Sequence, residues 1–141
     1  MENTIETTVL QKVLRIVLGV LMIIAAIGHA TFQREEFQAQ VPNWLPLSKD
    51  LVVVLSGLVE LSLGLGMVLW KKQRVNVGIA LAVFYILIFP GNVAQYINGI
   101  SAFGLDTDNA RLMRLFFQPV LILWALWSTG ALKVLLKKKA N

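Results

Sequence analysis

A carboxylate and an imidazole set inside apolar sequence are the first residues that could do chemistry. Glu60 stands nine residues into a long apolar run that begins near residue 51, roughly 14 Å along a helix. A charge at such a depth is costly, about 2.5–3.5 kcal/mol on insertion scales for a central Asp. Glu60 must therefore face other helices and either carry a proton or find a cationic partner. Ser56 and Gly57 lie one turn before it and Gly64 one turn after, so its helix face is small and polar. His29 follows Gly28 at the far end of an earlier apolar run. Asn92, Gln95 and Tyr96 fall at helical spacing in a third run. Arg111, Arg114 and Gln118 fall at i, i+3 and i+7 at the start of a fourth. Histidine and glutamate can hold and release a proton. Arginine, glutamine and asparagine can donate hydrogen bonds to a carbonyl or an anion.

Something must position these groups. The 141-residue chain is 57% hydrophobic and 15% charged. A soluble domain runs near 45–50% apolar and about 25% charged. The excess apolar surface must face something other than water, and lipid is the simple answer. The net charge of +5 does not read as a nucleic-acid footprint, because the basic residues sit at the ends of apolar runs. Cysteine is absent, which excludes thiol redox chemistry, thiolate metal sites and disulfides within the chain. One histidine excludes a bis-histidine haem, and no metal site is expected.

A helical span needs about 20 apolar residues. Four stretches qualify, 13–31, 51–70, 75–97 and 112–132, and predict an all-α, four-transmembrane-helix bundle, with 1–141 as a single membrane domain. The first stretch is expected to stay as a span rather than be cleaved as a signal peptide. Glu2 and Glu6 weaken a charged leader, and the run exceeds the roughly 7–15 residues of a signal core. Nine of the 13 lysines and arginines, among them Lys12, Arg15, Lys71, Lys72, Arg74 and Lys137 to Lys139, fall on one side of such a bundle. Positive charge stays cytoplasmic, so both termini are expected there, and in a bacterium the other side would be periplasmic.

With that orientation, His29, Asn92, Gln95, Arg114 and Gln118 all fall in the outer half of the bundle, above Glu60. They predict a polar pocket open outward, with Glu60 at its floor paired to His29 or Arg114. Trp44 in the outer loop belongs to the same candidate site. That loop, 32–50, contains Phe37, Val41, Trp44 and Leu45, too apolar for a free loop, and Pro42 and Pro46 block a continuous helix. A partly buried cap is expected, with Ser48 capping the next helix. Pro90 and Pro119 deprive the Ile86 and Leu115 carbonyls of their helical donors and predict kinks. Each candidate also has a structural reading. Ser56, Gly57, Gly64, Trp124 and Trp127 read as packing residues and Arg111 as an interfacial anchor. Asn92 and Gln118 read more readily as interhelical hydrogen-bonders than as ligand contacts.

Several of these residues also carry a resemblance. Gly28-His29-Ala30 closes the first span, with Phe32 and Phe37 beyond it. Pro42-Asn43-Trp44-Leu45-Pro46 follows, then Ser56-Gly57-Leu58-Val59-Glu60, then Phe89-Pro90-Gly91-Asn92, then Arg114, Gln118 and the Trp124–Trp127 pair. In order and spacing this resembles the DoxX-like family of small four-helix membrane proteins, over nearly the whole chain. The resemblance implies a bundle in the bacterial cytoplasmic membrane. It also implies a mixed set of roles: thiosulfate:quinone oxidoreduction, oxidative or thiol stress, and, in animal relatives, chaperoned receptor assembly.

Three functions fit these residues. One is a membrane subunit binding a lipophile such as a quinone or lipid. It has no intrinsic cofactor, and any electron transfer would need a redox partner protein. The second is a non-catalytic assembly or chaperone protein docking through its Pro/Trp loop. The third is a small proton-coupled carrier, which with four spans would require a homodimer. An enzyme acting on a membrane lipid is also compatible, and no catalytic residue is assigned. The ranking runs in that order.

Overall fold

Long apolar runs bounded by short polar caps make the helices of this chain. The computed structural model describes residues 5–31, 33–38, 40–102 and 104–140. Glu2 and Phe32, both used in the sequence reading, lie outside the described residues. Helix α1 spans Val9–Ala30, α2 Arg34–Gln38, α3 Lys49–Leu69, α4 Arg74–Ile97, α5 Asp108–Thr129 and α6 Ala131–Lys139. A single 3₁₀ turn, Lys71–Gln73, joins α3 to α4, and no strand occurs among the described residues. Four of the helices are long and apolar enough to cross a membrane.

Side chains satisfy the free backbone donors at the helix starts. At α1, Thr8 Oγ1 accepts from the Gln11 amide at 3.2 Å while Gln11 Oε1 accepts from the Thr8 amide at 2.9 Å. This reciprocal box closes the first turn. Ser48 caps α3 as expected, accepting from Leu51 N at 3.2 Å. Thr107 caps α5, accepting from Ala110 N at 3.1 Å.

Two boundaries differ from the sequence reading of the fourth span as 112–132. The Thr107 cap starts the helix at Asp108, four residues earlier. Gly130, at φ 83°, ends it at Thr129. That left-handed conformation costs other residues about 1–2 kcal/mol, so a glycine there separates α5 from the lysine-rich α6.

Close backbone approach sets the packing. α1 and α3 run antiparallel and touch at Gly19 and Gly64. A methyl on either glycine would stand 2.9 Å from the carbonyl oxygen of the other. α4 and α5 close in the same way where Gly78 meets Thr129. The two pairs are joined by α1 against α5, where Trp124 Nε1 donates to Leu14 O at 3.0 Å and Gln11 Nε2 to Trp127 O at 2.7 Å. α3 and α4 pack far less against each other. They meet beside their connecting turn, where Val77 lies against Gly66.

The bundle thus has two unlike halves. Toward the α3–α4 turn, Leu18, Met22, Met67, Leu81 and Ala125 form a tight core, each at most 2% exposed. Arg15 and Arg74 are also buried there. Arg15 donates to the Met67 carbonyl and Arg74 to the Ile5 carbonyl. These two side chains, read from sequence only as topology charges, also tie elements together. On the outside, α1 exposes Val13, Ile16, Val20, Ile24 and Ile27 along one stripe. Apolar surface of that extent needs a covering phase other than water.

Candidate functional site

The other half of the bundle is open inside. A cavity of about 440 Å³ lies between α1, α3, α4 and α5, within the range of small-molecule sites. The segment after α2 closes one end of it. Val41 and Pro42 are buried, and the Gln40 carbonyl sits so close to Gly91 that any side chain there would overlap it. Gln40 Nε2 also donates to Gln95 Oε1 at 3.1 Å. Trp44 lines the cavity and remains 73% exposed.

α2 itself was not foreseen. It is held over α3 by Arg34, whose Nε and Nη2 reach the two Asp50 oxygens at 2.6 and 2.5 Å. The pair is exposed, so it fixes position more than it stabilises. Its consequence is that Phe37 stacks on His29, ring centroids 3.6 Å apart and planes 21° from parallel.

His29 is the hub of the site. Its Nε2 lies 2.9 Å from Glu60 Oε2, with the two side chains 7% and 13% exposed. Its Nδ1 lies 3.0 Å from the Val53 carbonyl oxygen and 3.3 Å from Ser56 Oγ. A carbonyl only accepts, and Ser56 Oγ, 2.9 Å from that same oxygen, donates its own proton to it. Nδ1 therefore carries a proton, an assignment that follows from its partners. The 2.9 Å line from Nε2 to Oε2 then needs one more proton, on the imidazole or on the carboxyl. Either placement leaves the pair neutral as a unit, and moving that proton a fraction of an ångström converts one form into the other. Of the two partners expected for Glu60, the geometry selects His29 over Arg114.

Gly57 makes this possible. A Cβ there would stand 2.8 Å from His29 Cβ and 3.2 Å from Cγ. The contact falls near the root of the imidazole, where the side chain cannot swing away. Gly57→Ala is expected to displace His29 from Val53 and Glu60 and to cost about 1–3 kcal/mol. A histidine ring NMR signal unchanged in the variant would count against this.

The other candidates divide. Ser56, Pro90 and Arg114 line the cavity with His29, Trp44 and Glu60. Gln118 sits behind the wall, fully buried, donating to Tyr85 O at 2.7 Å and accepting from Arg114 Nη1 at 3.0 Å. Gln95 is spent on Gln40 and on the Ile100 carbonyl at 3.1 Å. Asn92 is buried outside the cavity wall. Gly64 packs against α1, and Pro119 lies within α5. Arg111 is turned inward, donating to the Leu105 carbonyl at 2.8 Å and to Asp108 at 2.9 Å.

Tyr85 and Trp124 are among the cavity residues that the sequence did not place there. Tyr85 is buried, lines the cavity and lies within electrostatic reach of both Glu60 and Arg114. Its spacing of seven from Asn92 places both on one helix face, a signal that was available. Trp124, read as packing, does pack against Leu14 but also forms cavity wall. No group of three or more potential metal ligands occurs among the described residues.

No curated protein and no solved structure matches the chain significantly. One family model matches residues 18–129, a stretch that begins at the first cavity residue, Leu18, and runs past the last, Trp124. On that match the chain belongs to the family described as a domain of unknown function (DUF8561).

Proposed function

We propose that this chain is an integral protein of a bacterial cytoplasmic membrane, crossing it four times with both termini cytoplasmic, and that it binds a lipophilic small molecule, with a quinone as leading candidate. One observation carries the reading. A cavity of about 440 Å³ with largely apolar walls is lined by the His29–Glu60 pair, Tyr85 and Arg114. Apolar walls with a few convergent polar groups are the usual form of a small-molecule site. An intramembrane carboxylate is by default a functional group.

The chemistry suits a carbonyl that takes up protons. Arg114 and Tyr85 can donate hydrogen bonds to a quinone oxygen. A quinol hydroxyl can donate to the Glu60 oxygen not held by His29. The chain lacks cysteine and has one histidine, so electrons would come from a partner protein or a bound cofactor. The resemblance to DoxX-like proteins, some associated with quinone reduction, belongs to the same proposal.

Native mass spectrometry of protein released gently from membranes, followed by extraction of what it retains, tests the reading. A stoichiometric quinone or other lipophile is expected, and it should be lost in Glu60→Gln and His29→Ala. An assembly role is the second reading, supported by Trp44 and Leu47, 73% and 51% exposed on the capping segment. A retained protein partner with an empty cavity, unaffected by Glu60→Gln, would replace the first reading with the second.

A further inference from the structure

The charge balance inside the cavity says more about the ligand than the cavity's shape. The His29–Glu60 pair is neutral as a unit, because Glu60 is spent on His29. Arg114 lines the same cavity. It makes no ion pair among the described residues. Of the five N–H donors of a guanidinium, one is bonded to a described residue, through Nη1 to Gln118 Oε1 at 3.0 Å. Its other contact is with the Phe117 ring, whose centroid lies 5.7 Å from the guanidinium carbon, and a ring face occupies none of those donors in a conventional hydrogen bond.

A permanent positive charge thus faces an apolar enclosure with unspent donors. Arginine does not lose its proton to escape that cost, and an uncompensated charge in such surroundings is unfavourable. The groups around the guanidinium add to the asymmetry. Gln118 presents its oxygen to Arg114 and its nitrogen to the Tyr85 carbonyl, which holds the guanidinium in place without neutralising it. Ser56 and Tyr85 add hydroxyl groups to the wall.

We infer that the lipophile bound in this cavity is acidic, with its anionic head on Arg114 and its apolar body along the Leu87, Ile88, Phe117 and Leu121 walls. This rests on the reading of the cavity as a lipophile site, narrows that site to one charge class, and puts an acidic lipophile ahead of the neutral quinone. A planar carboxylate matches the fork of a guanidinium and can accept two of its donors at once. The neutral His29–Glu60 pair tolerates such a head nearby, whereas a free carboxylate at Glu60 would repel it.

The test compares two probes that differ in charge and by one methyl group: brominated hexadecanoic acid and its methyl ester, added to the full chain in nanodiscs at a pH that ionises the acid. Bromine quenches tryptophan fluorescence at contact, and Trp44 and Trp124 both line the cavity. Saturable quenching, reversed by unlabelled hexadecanoic acid, reports occupancy. The acid is expected to bind roughly tenfold or more tighter than the ester, the scale of one charge-assisted hydrogen bond. Arg114→Gln should remove that preference and Arg114→Lys should keep most of it. Equal saturable binding of acid and ester to the unaltered protein overturns the charge assignment and leaves the lipophile site standing. Absence of saturable binding by the acid, the ester and a brominated quinone overturns both.

Discussion

Gly64→Ala is expected to destabilise the protein by about 1–3 kcal/mol, and Gly19→Ala by a similar amount, although each adds only a methyl group. The added carbon would stand 2.9 Å from a backbone carbonyl of the facing helix, and a carbonyl in a helix cannot step aside alone. At Gly64 the methyl would also meet Ile23 Cγ1 at 3.0 Å and Met22 Cβ at 3.2 Å, so the whole of α1 must move. Close approach of small residues is what holds helices together in lipid, where exclusion of water no longer drives their association. The double variant should cost clearly less than the sum, because both methyls demand the same separation and the second uses room the first has made. Unfolding in a mild detergent, followed by circular dichroism, reads these differences. Full additivity would mean that the two glycines are not opposed across one interface.

Glu60→Leu is expected to have a comparable or larger effect, and its size reports the state of the His29–Glu60 pair. Removing the carboxylate leaves His29 Nε2 facing an apolar cavity while Nδ1 stays on Val53. Stranding an imidazolium costs about 3–5 kcal/mol. Stranding one neutral nitrogen costs about 1–3 kcal/mol. Glu60→Gln should lose much less stability, because an amide can pair with either form of the ring, and its defect should lie in ligand retention. His29→Leu combined with Glu60→Leu should recover part of the loss, since an apolar replacement of both partners leaves nothing stranded. Wild-type stability in Glu60→Leu would show that the pair contributes nothing to the fold.

The two variant sets test different parts of one arrangement. α1 and α3 approach closely at Gly19–Gly64, and about two turns of α3 further toward the His29 end the same approach lets His29 lie over Gly57 and reach across to Glu60. A packing device that would serve in any membrane bundle here also positions the groups with chemistry. Loosening the interface at Gly64 should therefore weaken ligand retention as well as stability, whereas Glu60→Gln should affect retention almost alone.

Much of the architecture was legible in the residues themselves. Four apolar runs at the right length predict four long helices, since each must satisfy its backbone internally and hide its surface from water. Ser48 announced its cap, the polar residues of separate runs gathered toward one half of the bundle, and a buried carboxylate had to find a partner because the alternatives cost too much. What the chain alone did not determine was the choice among partners of similar reach. His29 or Arg114 could each have met Glu60, and the glycine at position 57 decided in favour of His29 by letting α1 come close. Asn92, Gln95 and Gln118 share helical periodicity with the cavity residues, yet none of them lines the cavity, and Gln95 and Gln118 are bonded to a neighbouring loop and helix instead. Tyr85 and Trp124 do line it. Periodicity along one helix specifies a face. Only the packing of four helices specifies which faces meet and where a space is left between them.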